Sequence, residues 1–336
     1  MIRKNRWLIC VVYALFLVIS VPVFAEGAFY FAIQHDGNKE NEKYATYMEE
    51  KGTFKKIVRA LNNTLNIPYD IYIVMTNSDI GPYYDPSKKL IVLDYGALQF
   101  SAQQYDVYYP SSDKESREYF LNNVNLFAFY HELGHSLIDA YHIPVLGEQE
   151  DAADGLASAM ILYYFTQGDV VLLDAAIFWD FVRKADTQNE SQYWNEHALS
   201  AQRYYRLLCY AYGKSPQYIE DQLQGEDEEE DKDLSQFITE KKDRCLSEYH
   251  QLNETWFTVL KPHFKDSTEA ETAIQEINNS TGEDSDEDSD EDSDEDSDED
   301  SGEDSDEDSD EDSGEDSGED SDEDSDEDSD EDSDRK

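Results

Sequence analysis

The residues of this chain best suited to chemistry are His131, Glu132 and His135, in the run His131-Glu132-Leu133-Gly134-His135. On an α-helix, positions four apart stand one above the other, so both imidazoles can face one metal ion. A glutamate directly after the first histidine stands close enough to take a proton from a metal-activated water. The chemistry implied is hydrolysis by a zinc-activated water, with Glu132 as the general base. So short a pattern also arises by chance. It gains weight only if the chain supplies a third ligand and a helix to carry the motif.

A third ligand is sought first downstream on the same helix. The pattern HExxHxxGxxH fails, because Ile138 stands at the glycine position and Tyr141 at the histidine position. His142 misses by one residue and is read as a surface residue at the helix end. The better source is Gly147-Glu148-Gln149-Glu150-Asp151-Ala152-Ala153-Asp154. A glutamate followed four residues later by an aspartate, opening the next helix, is the spacing of gluzincin-type metallopeptidases. On that likeness Glu150 binds the metal. Asp154 then accepts a hydrogen bond from the far nitrogen of a ligand histidine, fixing its tautomer. Glu148 and Asp151 compete with Glu150 for the ligand role, and acidic residues also suit a helix N-terminus for their own sake. His197 is the candidate to stabilise the oxyanion of a tetrahedral intermediate, with Tyr193, Tyr204 and Tyr205 as alternatives. Gln202 and Arg203 are expected to tie helices together.

The elements that must position these groups follow from hydrophobic periodicity. Ser116 to Tyr141 reads as one long helix, with Phe120, Val124, Phe127, His131, His135 and Ile138 near one stripe. Pro144 disfavours helix in the residue before it and closes the segment. Upstream, Phe29–Ile33, Ile71–Met75 and Leu90–Leu93 read as strands, and Phe54–Leu65 as an amphipathic helix. The stretch after Ile33 reads as polar and charged, and Gly81 to Pro86 as punctuation. Downstream the chain is helical: Glu150–Thr166, Val170–Ala185, Glu196–Tyr212 and Leu234–Leu260, with Gly213 as a stop. A small sheet followed by a helical half makes this α+β rather than a doubly wound fold.

The net charge of −53 is concentrated at the C-terminus, where from Glu283 onward 36 acidic residues face two basic ones. This Glu-Asp-Ser-Asp repeat has no apolar side chain to offset ordering entropy, so residues 266–336 are expected to be a disordered tail. It lacks the glycine spacing and flanking helices of an EF-hand, so weak binding of divalent cations or basic partners is expected of it. The rest is acidic as well, which excludes a phosphate-binding surface and hence nucleic acid. Residues 1–25 read as a signal peptide: Arg3, Lys4 and Arg6, an apolar run from Trp7 to Phe24, then Val23-Phe24-Ala25 before the cleavage point. The expected product is exported, periplasmic or secreted, without stable membrane insertion after cleavage. Its two remaining cysteines, Cys209 and Cys245, form an even count that suits one disulfide.

The stretch from Phe129 to Ala159 resembles a bacterial family assigned as zinc metallopeptidases and otherwise of unknown function. That family carries HExGH, a Pro-Val-x-Gly turn and a Glu-Asp-x-Ala-Asp segment. Tyr83-Tyr84-Asp85-Pro86, Glu196 to Tyr205, Cys209 to Gly213, Arg244-Cys245, Trp256 and Leu260 to His263 are similar too. The likeness covers about Phe29 to His263. It implies a zincin-like domain, here residues 26–265, with one zinc site and a peptide or protein substrate. Cysteines expected of such proteins near Thr76 and Tyr95 are missing. Two other readings stay open: a metal-binding protein without catalysis, and an acidic protein acting through its tail.

Overall fold

A computed structural model of the chain describes residues 26–78, 80–185, 197–222 and 232–265, with 271, 272, 274–276 and 278. The expected signal segment 1–25, Tyr193 and the repeat from 283 onward lie outside the described residues. All the described residues belong to one compact unit.

The N-terminal part builds a four-stranded sheet from β1 (Phe29–Ile33), β2 (Ile71–Thr76), β3 (Tyr83–Asp85) and β4 (Leu90–Asp94), ordered β1-β2-β4-β3. The β1, β2 and β4 strands run parallel, with Ile73 opposite Phe31 on one side and Ile91 on the other. β3 is antiparallel at the edge, pairing Tyr84 with Ile91. Alternation is clear in β2, where Ile71, Ile73 and Met75 are buried and Tyr72 is exposed. The remainder is helical: α1 (Lys39–Lys51), α2 (Thr53–Thr64), α3 (Tyr95–Tyr108), α4 (Lys114–Tyr141), α5 (Gln149–Tyr164), α6 (Gly168–Ala185), α7 (Ser200–Lys214), α8 (Pro216–Gln222) and α9 (Lys232–Leu260). The chain is thus mostly helical with a small N-terminal sheet. Among the described residues no helix is long and apolar enough to cross a membrane.

Several elements depart from the sequence reading. The polar stretch after Ile33 folds as α1, because only Asn41, Ala45 and Met48 face inward and Asn38 caps its first turn. One of those three is itself polar, so the stripe has no hydrophobic signature. The punctuating segment at Gly81 to Pro86 contains β3, and the unassigned Tyr95–Tyr108 forms α3, capped by the Asp94 carboxylate on the Ala97 amide. Gly213 does not stop a helix. α7 continues to Lys214, and a Cβ at Gly213 would stand 2.2 Å from the Cβ of Tyr249, so glycine is needed for close packing against α9. Cys209 and Cys245 are bonded, joining α7 to α9.

The motif helix α4 is anchored at both ends. Asp113 caps its start by accepting from the Ser116 amide at 2.9 Å. Near its end, Asp139 Oδ2 accepts from Tyr69 Oη (3.0 Å), Tyr84 Oη (2.7 Å) and Lys89 Nζ (2.6 Å), all beside the sheet. Between these anchors Phe129 meets Phe54 edge-on, and Leu133 and Leu137 are fully buried. Each such buried apolar side chain contributes about 1.5–3 kcal/mol. In the region where cysteines are expected nearby, Thr76 pairs in register with Asp94, the neighbour of Tyr95. Both side chains bond instead to Gln34, through Thr76 Oγ1 (2.6 Å) and Tyr95 Oη (3.1 Å).

On α6, burial pushes the Asp174 carboxyl up to about 7, against the hydrogen bond donated by Asn123 Nδ2 at 2.7 Å. Its ordinary value lies near 3.8, so between those limits the folded chain holds a proton that the unfolded chain releases. Stability from this group is therefore complete at low pH and lost as pH rises through 7. Asp174→Asn is expected to raise the Tm at pH 8 by several degrees and to leave it unchanged near pH 4. An equal shift at both pH values would contradict this.

Candidate metal centre

α4 and α5 form a helical hairpin whose facing residues are two pairs spaced by four: His131 and His135 on one helix, Glu150 and Asp154 on the other. The rows run in opposite senses, so His131 meets Asp154 while His135 meets Glu150. Gly134 permits this close approach, since a Cβ there would sit 3.1 Å from the carbonyl oxygen of Ala153. The glycine of the motif thus keeps close contact between the two helices that carry the site.

Three side chains converge. His131 Nε2 lies 3.0 Å from Glu150 Oε2 and 3.2 Å from His135 Nε2, and His135 Nε2 lies 3.3 Å from Glu150 Oε1. Ligand atoms placed tetrahedrally at roughly 2.1 Å from a zinc ion stand about 3.4 Å apart. The spacing therefore fits a metal of that size. The proton arrangement agrees. His131 Nδ1 faces the Asp154 carboxylate at 2.7 Å and so carries its hydrogen, which turns the Nε2 lone pair towards Glu150 and His135. Lone pairs and a carboxylate facing one another repel unless a proton or a metal ion sits among them.

Without a metal a proton takes that place on Nε2: burial works against charge on His131, but Asp154 and Glu150 together lift its pKa to about 9. Burial likewise opposes ionisation of Glu150, and the three imidazoles of His131, His135 and His197 outweigh it, holding this acid well below the carboxylate range. Glu132, 7% exposed, is pushed upward by burial, with His131 and His135 opposing. A carboxyl group whose pKa is raised beside a metal site is suited to taking a proton.

The competing acids go elsewhere. Glu148 is the residue before α5 and is exposed, and Asp151 pairs with Arg206 at 2.6 Å. His142 is exposed at the end of α4, outside the site. His197 is not at the head of a helix, since α7 begins only at Ser200. Its Nε2 nevertheless reaches Glu150 Oε2 at 2.9 Å, and His131, Glu150 and His197 form a group whose ligand atoms all lie within 4.8 Å of one another. Tyr204 and Tyr205 pack on one another, with ring centroids 4.7 Å apart.

Geometry and charge at this hairpin agree with a comparison of the whole sequence. The model of a family described as "Putative metallopeptidase" matches residues 34–260. The chain belongs to that family. No curated protein and no solved structure matches it. The matched span contains the whole hairpin, His197 and both cysteines, and leaves out the repeat tail.

Two residues of this family member act on the site in ways the sequence reading did not anticipate. Arg203, read as a tie between helices, does join α7 to α5, but its partner is Asp154. Nε donates to Oδ2 at 2.8 Å and Nη2 to Oδ1 at 2.6 Å, a two-pronged bond in a buried setting. Its guanidinium also lies 3.9 Å from the Trp179 ring centroid. Burial opposes the Asp154 charge, yet Arg203 and His131 hold its pKa at about 2. The second is Gln149, whose Oε1 lies 3.1 Å from His135 Nδ1 and supports that ring as Asp154 supports His131. Its signal was adjacency to Glu150. Arg203 gave none, being 49 residues from its partner.

Proposed function

We propose that this protein is an exported zinc-dependent metallohydrolase, a peptidase of zincin-like fold occupying residues 26–265, with His131, His135 and Glu150 as ligands. The observation carrying this reading is the convergence of two imidazole nitrogens and one carboxylate at 3.0–3.3 Å, beside a buried glutamate. Zinc bound there lowers the pKa of water towards neutrality and polarises a carbonyl oxygen. Asp154, clamped by Arg203, keeps the His131 ring in the tautomer that offers Nε2. Glu132 receives the proton released as water attacks a peptide carbonyl, then passes it to the leaving nitrogen. The disulfide supports export, since such bonds persist in oxidising compartments.

Purified full-length protein is expected to contain one zinc per chain by elemental analysis. Its cleavage of a mixed peptide library should vanish on chelation and return with added zinc. Absence of a stoichiometric metal would sink the proposal.

The short contact between His197 and Glu150 favours a second reading, in which His197 is a further ligand and the closed site binds metal without catalysis. His197→Ala separates the two. If His197 supports the oxyanion, kcat falls by about 10²–10³-fold and zinc affinity is retained. If it is a ligand, zinc affinity itself falls.

A further inference from the structure

We propose that an aromatic cleft beside the N-terminal part of α4 binds a small primary amine with an apolar body, its ammonium group held by Asp174 and the surrounding rings. The inference goes beyond the metallohydrolase reading and stands without it. Phe120, which lines the cleft, lies eleven residues before His131, roughly 16 Å along the helix axis. The cleft is therefore a second place on the molecule and no part of the metal centre.

Its size and walls suit a small organic cation. The cleft spans about 810 Å³ between α1, α3, α4, α6 and α8, within the roughly 300–1,000 Å³ usual for small-molecule sites. Four helices supply rings: Tyr47 from α1, Tyr105 from α3, Tyr119 and Phe120 from α4, and Tyr218 from α8. The face of an aromatic ring is negative, and it attracts a cation that comes within about 6 Å of its centre. Ile177 adds aliphatic surface from α6, one helical turn beyond Asp174.

Asp174 supplies the full charge. It lines the cleft and is only partly buried, so a ligand can touch it. Oδ2 accepts from Asn123 Nδ2 at 2.7 Å. Oδ1 takes no hydrogen bond among the described residues and is not sealed from solvent, which leaves it open to the cleft. No basic side chain among the described residues pairs with this carboxyl group. Both lysines of the lining, Lys51 and Lys114, are exposed, and Lys114 is matched by Glu118 at 3.1 Å. A carboxylate set among rings without a cation is costly, which is why this one keeps its proton up to about 7. An ammonium ion brings the missing charge and an N–H donor for Oδ1. A quaternary ammonium lacks that donor, an alcohol lacks the charge, and an anion meets a like charge.

The test titrates full-length protein by calorimetry at pH 8 and about 0.15 M salt. The probes are 2-phenylethylammonium, 2-phenylethanol and 3-phenylpropionate, which share a shape and differ in charge. The ammonium should fill one saturable site per chain, at least about tenfold more tightly than the alcohol, and the carboxylate should not bind. Asp174→Asn should erase the preference for ammonium over alcohol. Tyr218→Leu should weaken ammonium binding by about three- to tenfold. The acidic tail is identical in all three proteins, so any loose cation binding by it cancels between them. The ammonium should also raise the Tm of the parent at pH 8 and leave that of Asp174→Asn nearly unchanged. Ammonium binding that never saturates, or that is the same in Asp174→Asn as in the parent, would overturn the proposal. Should Asp174→Asn not fold, alcohol binding as tight as ammonium, or ammonium binding equal in the parent and Tyr218→Leu, overturns it as well.

Discussion

Glu132→Gln is expected to lower peptide hydrolysis by about 10²–10⁴-fold while one zinc per chain remains bound. The amide matches the carboxylate in shape but cannot accept a proton at neutral pH. The groups assigned to the metal are His131, His135 and Glu150, so the loss should fall on kcat and leave zinc content intact. Burial already disfavours the charge of Glu132. An uncharged replacement should therefore fold at least as stably, and the Tm should hold or rise. That combination of retained metal, retained Tm and lost turnover separates a base from a ligand or a packing residue. Turnover equal to the parent would remove Glu132 from the mechanism.

The second large effect is expected at Arg203. Asp154 is 2% exposed and charged, and Arg203 supplies two of its hydrogen bonds. Arg203→Met leaves that carboxylate with His131 as its remaining partner. Breaking a buried ion pair from one side costs about 3–5 kcal/mol. At about 2–4 °C per kcal/mol for a domain of this size, the Tm should drop by on the order of 10 °C. Loss of such support beneath a metal ligand should also weaken zinc affinity by about 10–100-fold. Arg203→Lys keeps the charge without the two-pronged geometry and should fall between. In combination with Asp154→Asn the Arg203→Met penalty should shrink, because the uncompensated charge is gone. If Arg203→Met lowers the Tm with zinc affinity unchanged, Arg203 supports the fold and not the metal centre.

Much of the scaffold was legible because its signals are local. Ile71 to Met75 alternate and are β-branched, and β2 lies there with one added residue. The stripe through Val124, Phe127 and His131 is periodic enough to define α4 to within two residues at its start. α1 was not legible, since its buried face includes Asn41, whose amide bonds Asp36 and Asn77. Nor was β3, three residues long and held as strand by the register of β4. In both cases a polar or short segment takes its structure from neighbours distant in sequence.

The candidate site divides in the same way. Residue type and helical pitch alone determined that His131 and His135 share a face, that Glu132 stands beside them, and that Glu150 and Asp154 share a face of the following helix. Tertiary structure decided that these faces meet, because Gly134 lets the two helices touch. It also decided that Asp151 turns to Arg206, that His197 approaches Glu150, and that Arg203 crosses from a third helix to hold Asp154. Spacing along a helix is fixed by backbone geometry and can be read from order. Contact between helices depends on side-chain volume and charge from remote parts of the chain, which only folding brings together.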